Sequence, residues 1–146
     1  MYCHGSLTNY CLSLIRIKRR EGCLLQMPHL QNCPSKGLNS EGWQLSPSLG
    51  WSCNQVCLAV GLSCSEAEQH AHNADVSYTS GIQSIMNSTG KTCGAVNTQW
   101  GIALDVPGIK VNDECFTSSP SRTASEYSCS RAQQHMYRLC YCSSQD

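Results

Sequence analysis

The chain holds a single phenylalanine in 146 residues, and only 14% of its residues are charged. So few large aromatics limit the core that a domain of this size can bury, and cross-links are needed to offset the shortfall. No apolar run approaches the roughly 18 residues of a membrane-crossing helix, so no membrane insertion is expected. The formal net charge is zero, which removes the electrostatic argument for nucleic acid or an anionic membrane as partner. Catalytic motifs are lacking as well: there is no G-x-S-x-G elbow, no H-E-x-x-H and no C-x-x-C redox pair. "STGKT" at 88–92 has the Gly-Lys-Thr of a phosphate-binding loop, but Ile85 stands where that loop needs its first glycine. Asp105, Asp113 and Glu114 read as solvated loop acids, and His70, His72 and His135 cannot be assembled with a nucleophile from sequence. No catalytic residue, metal site or cofactor is therefore expected.

Cysteine is what the chain has in abundance. Twelve residues make about eight per cent, near the level of disulfide scaffolds. They divide into four at positions 3, 11, 23 and 33, and eight at Cys53, Cys57, Cys64, Cys93, Cys115, Cys129, Cys140 and Cys142. Charge divides with them. Residues 1–48 carry a net +3, concentrated in "RIKRR" at 16–20, and residues 49–146 carry −3. The basic cluster follows a short, interrupted apolar stretch, the reverse of a signal peptide. We expect 1–48 to be a poorly ordered basic arm and 49–146 to be an eight-cysteine domain, with the boundary near Pro47–Gly50.

Within that domain Ser52 is a good N-cap, and Cys53, Val56, Cys57 and Val60 fall on one helical face. Gly61 stops the helix and Leu62 folds back on its last turn. Ser65 and Glu68 form a capping box for a second helix, "EAEQHAHNA", and "SGIQSIMNSTG" gives a third. "GIALDVPGIKV" reads as two extended runs around a Pro107–Gly108 turn, 117–125 as a polar loop, and "MYRLCYC" as a terminal strand.

Zinc ligands come in tight repeated pairs. A Cys57/Cys64/His70/His72 site is conceivable, but the remaining cysteines are scattered singly, as long-range disulfides require. Their even number closes a framework of four bridges, whose pairing is open among 105 connectivities. Cys140 and Cys142 point the same way from one strand and so should bridge separate partners. Asn87-Ser88-Thr89 is an N-glycosylation sequon, pointing to the same oxidising compartment. Trp51 and Trp100 could stack on a sugar ring, or pack against the bridges.

"SCNQVCLAVGLSC" at 52–64, the lone Cys93 and Cys115, "YSCS" at 127–130 and "RLCYC" at 138–142 resemble one family. It is the cysteine-rich carboxy-terminal region of α-1,6-mannosylglycoprotein 6-β-N-acetylglucosaminyltransferase (N-acetylglucosaminyltransferase V). The resemblance covers roughly residues 50–142 and rests on the cysteines with Gly61 and Leu62. That family's nucleotide-sugar-binding body lies upstream of this region, where residues 1–50 are unrelated, so no catalytic residue carries over. The resemblance implies a lumenal or extracellular disulfide-bonded module.

The expectation is thus a small disulfide-rich α+β fold, with short helices followed by loops and a few short antiparallel strands. Its function reads as a non-catalytic module of the cell exterior or Golgi lumen that binds a glycan or an extracellular protein. The alternatives are a fragment or accessory region of an N-acetylglucosaminyltransferase V-like glycosyltransferase, and an intracellular zinc-binding domain. Oligomeric state is left open.

Overall fold

The structure, a computed structural model, describes residues 40–144. The "RIKRR" cluster and Cys3, Cys11, Cys23 and Cys33 lie outside the described residues. Three short helices and a five-stranded sheet are held by four disulfides, a small disulfide-rich α+β fold.

Helix α1, Cys53–Ala59, begins where the Ser52 side chain accepts the Gln55 N–H and Gln55 answers by accepting the Ser52 N–H. It ends with Gly61 at φ 75°, a left-handed position that glycine takes at no steric cost. There the Leu62 N–H reaches back to the Cys57 carbonyl and the Gly61 N–H to that of Leu58, which satisfies the last orphan carbonyls. Both ends are written in local chemistry, and the face between them buries Cys53, Val56 and Cys57.

Helix α2, Glu66–Ala71, is capped by Ser65 on the Glu68 N–H. It is shorter than its sequence pattern, giving way to a 3₁₀ turn over Asn73–Asp75. The reason is Asn73, whose amide donates to the Ser119 carbonyl and whose oxygen accepts the Tyr127 hydroxyl. Helix α3, Thr79–Ser88, buries Ile82 and Met86. Gly81 lets its first turn close on the preceding loop, since a Cβ there would sit 2.2 Å from the Asp75 carbonyl oxygen.

The strands are β1 (Gly42–Leu45), β2 (Ala95–Asn97), β3 (Gly108–Lys110), β4 (Glu114–Phe116) and β5 (Met136–Cys142), in the order β1-β5-β3-β4-β2. The β1–β5, β5–β3 and β3–β4 pairs are antiparallel. The β4–β2 pair is parallel, so the sheet is mixed where an antiparallel one was expected.

Strand β5 is the spine. Alternation sends Cys140 and Cys142 to the α1 side, where they join Cys53, Val56, Cys57 and Leu62. Leu139 faces the other way, onto Val76, Ile82 and Met86. A third, smaller cluster joins Val106, Phe116 and Met136. The bridges follow this geometry: Cys53–Cys140, Cys57–Cys142, Cys64–Cys129 and Cys93–Cys115.

Two sequence expectations are corrected. Strand β1 lies inside the segment assigned to the basic arm, yet it pairs with β5 from Gly42↔Cys142 to Leu45↔Leu139. Ser46 then exchanges hydrogen bonds with the Arg138 backbone. The folded unit therefore starts upstream of residue 49. Second, the stretch around Pro107 holds one strand, not two. Residues 101–105 form turns, the Val106–Pro107 peptide is cis, and Gly108 already belongs to β3.

Candidate ligand-binding site

The loop from Thr98 to Pro107 joins β2 to β3, and its shape is imposed by Arg122 from the polar 117–125 stretch. Arg122 is 1% exposed. Its Nη1 donates to the Val106 carbonyl and its Nη2 to that of Ala103, both at 2.8 Å. The Ser119 N–H holds the Gly101 carbonyl at 2.9 Å. The loop backbone is thus fixed at three points, and Trp100 is carried on it 62% exposed.

Against this loop the sheet builds a cavity of about 350 Å³. Val106, Phe116 and Met136, one from the loop and one each from β4 and β5, supply its apolar floor. Trp100, Asp105, Lys110, Gln133 and His135 supply its aromatic and polar walls. Lys110 Nζ stands 4.4 Å above the Phe116 ring and 3.6 Å from Glu114 Oε2. Asp105 and Gln133 are half-buried and His135 is exposed.

Two buried guanidiniums sit behind the Asp105 wall. Burial pushes Arg122 below its ordinary pKa, while Tyr127, Glu126 and Asp105 pull it back. Burial lowers Arg138 to about 10, offset by Asp105 and worsened by Arg122. Arg138 is wholly buried. Its Nη1 donates to the Ser128 and Arg131 carbonyls, and its Nε and Nη2 have no hydrogen-bond partner. Tyr127, against Arg122, is raised by its own burial.

The residues singled out in the sequence are not brought together as one site. Trp100 enters the cavity with Asp105 and His135. Trp51 is half-buried against the α1 cluster, where it packs on the bridged cysteines. Asp113 is exposed at φ 62°, and Glu114 is taken by Lys110 and Asn97. His70 is exposed on α2, and His72 stacks on Tyr141 with 3.6 Å between centroids. Cys57 and Cys64 are bonded to Cys142 and Cys129, so the conceived zinc quartet has no thiolates to offer. Asn87 is exposed in the last turn of α3. Gly90 closes α3 rather than opening a helix, the opposite of a phosphate-binding loop. Lys110, Phe116, Gln133 and Met136 gave no sequence signal, because only strand pairing across β3, β4 and β5 gathers them.

The arrangement offers an exposed ring, a carboxylate acceptor, an ammonium donor and two side chains that both donate and accept. That set can stack on a flat ligand face and exchange hydrogen bonds with it. Four disulfides assign folding to an oxidising compartment, extracellular or lumenal. Among the described residues no helix is long and apolar enough to cross a membrane. The chain matches no protein-family model and no curated protein.

Proposed function

We propose that the chain is a non-catalytic, disulfide-stapled module of the cell exterior or Golgi lumen that binds glycans in the Trp100 cavity. The observation that carries the reading is Trp100 itself, held 62% exposed on a pinned loop beside a polar-walled cavity. An exposed indole offers a flat apolar face, and a pyranose ring presents the flat C–H face that stacks on it. Asp105 can then accept from neighbouring hydroxyls, and Lys110, Gln133 and His135 can donate. The volume is within the range of small-ligand sites.

Arg122 and Arg138 are buried on backbone carbonyls and so are turned away from any nucleotide diphosphate. This supports binding over transfer from a nucleotide sugar. The test is a glycan screen on the secreted chain with Trp100→Ala and Asp105→Asn as variants. Saccharide binding lost in both supports the reading, and binding unaffected by either refutes it.

The second reading, an accessory region of an N-acetylglucosaminyltransferase V-like enzyme, draws on the cysteine motifs. The opening C-x3-C and the closing C-x-C are bonded to each other, so the two halves of the resemblance form one unit. A longer transcript encoding an upstream nucleotide-sugar-binding body would favour it, whereas transfer by the isolated chain from UDP-GlcNAc to a branched N-glycan, above an acceptor-free control, would overturn the non-catalytic reading. Asn87 is proposed to carry an N-glycan, which a mobility shift in Asn87→Gln would reveal.

A further inference from the structure

Alternation along β5 puts Arg138 on the face that carries Met136 to the cavity floor and Cys140 to α1. The side chain is 0% exposed, and with a pKa of about 10 it stays charged at neutral pH. Its Nη1 donates to the Ser128 and Arg131 carbonyls. Among the described residues Nε and Nη2 have no hydrogen-bond partner. Those two nitrogens share one edge of the planar guanidinium, the edge whose parallel N–H groups receive an anion.

Arg122 shows how this fold settles a buried arginine. Each of its nitrogens donates, and the Tyr127 ring lies 3.8 Å from the guanidinium. Among the described residues no carboxylate pairs with Arg138 and no ring stacks on it. The two guanidiniums repel each other, and Asp105 is the carboxylate whose field offsets this. The local balance is two buried cations against one half-buried carboxylate.

An uncompensated buried charge is strongly destabilising, and orphaned donors add to it. A water molecule would accept the two N–H groups but leave the charge. A ligand of sugar or nucleotide size does not reach a side chain that solvent does not touch. A small anion meets both requirements.

We propose that the Nε–Nη2 edge of Arg138 is the binding site of a small monovalent anion of the halide class. The ion completes the core behind the Asp105 wall. The proposal is independent of the saccharide reading of the cavity.

The test places the full chain in sodium gluconate, whose anion is too bulky to enter. Chloride or bromide then replaces gluconate at constant ionic strength while the thermal midpoint is followed. A saturable rise of about 5 °C is expected once the halide exceeds its dissociation constant tenfold. Arg138→Lys keeps a charge without the fork, and Arg138→Met keeps only the stem, so both should lose that rise. In gluconate Arg138→Lys should cost little, and halide should widen its gap from the parent chain. A crystal of the parent chain grown in bromide should show anomalous scattering within hydrogen-bond reach of Nε and Nη2. That measurement decides the point even where a variant fails to fold. A rise of equal size in the variants is a general salt effect and overturns the proposal, as does no rise in the parent chain. Bromide at the fork without a saturable rise is an adventitious ion only and overturns it too. Water or the Asp105 carboxylate on that edge in the bromide crystal assigns the donors elsewhere and overturns the site.

Discussion

The Arg122 guanidinium lies 3.8 Å from the centroid of the Tyr127 ring, while its nitrogens donate to the carbonyls of Ala103, Val106 and Glu126. Tyr127 in turn donates its hydroxyl to Asn73 and shares a hydrogen bond with Ser118. One cation therefore joins the loop before β3, the polar stretch after β4 and the turn after α2. Arg122→Lys keeps the charge but cannot reach all three carbonyls from one ammonium. It should cost about 2–4 kcal/mol in urea unfolding and weaken ligand binding through the loosened cavity wall. Arg138→Lys should cost less, because Nε and Nη2 of Arg138 have no partners to lose. An equal or larger cost at Arg138 would mean that those donors are satisfied in solution.

The paired bridges of α1 should behave non-additively. With Cys57–Cys142 in place, Cys53–Cys140 closes only a further ring of about eight residues, worth about 2.5 kcal/mol of loop entropy. With Cys64–Cys129 still closed, Cys57–Cys142 on its own completes a ring of about 22 residues, worth about 3.4 kcal/mol. Replacing Cys53 and Cys140 together by alanine should thus be the milder step. Removing the second pair afterwards should cost about 1 kcal/mol more than that first step. Chemical denaturation of the two variants checks the asymmetry, and equal steps would contradict it.

Glu41 should give a small acid dependence. Its carboxylate accepts the Ser144 hydroxyl and, at 2.9 Å, the Ser144 N–H, which together hold its pKa below the usual 4.5. A carboxylate lowered in the folded state contributes stability above its unfolded pKa and loses it as pH falls through the folded value. Glu41→Gln should lower the thermal midpoint slightly at pH 7, and the gap should close in strong acid. A gap that persists at pH near 2, below both pKa values, would assign the effect to packing.

Trp100 and Trp51 should separate cleanly. Trp100→Ala should leave the thermal midpoint within about a degree while abolishing saccharide binding, since little packing is lost. Trp51→Ala should cost about 2 kcal/mol by uncovering the α1 cluster and should spare binding. Calorimetry and titration on the same preparations distinguish the roles.

Local chemistry was legible in the sequence and pairing was not. Ser52, Gly61 and Leu62 specify both ends of α1 within eleven residues, and the alternation over 136–142 announces β5. The even cysteine count pointed to a closed framework, but the partners lie 22 to 87 residues apart, where spacing carries no information. Strand β1 was missed because four half-buried residues next to a basic segment give no period, and only β5 supplies their register. Arg122 sits in a run of serines and threonines that reads as solvated loop. Its burial depends on carbonyls 16 and 19 residues upstream. The cavity was hidden for the same reason, since Trp100 was visible but its neighbours arrive from three strands and two loops.

Three of the four cross-links join the first half of the described chain to its last sixteen residues: Cys53 to Cys140, Cys57 to Cys142 and Cys64 to Cys129. On a ribosome delivering roughly 5–20 residues per second, three thiols therefore enter an oxidising lumen seconds before any native partner exists. Cys93–Cys115 alone closes within a short span of nascent chain. Helix α1, capped at both ends, can hold Cys53 and Cys57 one turn apart during that wait, where they can oxidise to each other or to Cys64. Maturation of this small domain thus depends on disulfide exchange after release of β5, and its yield should follow the supply of isomerase more closely than the speed of translation.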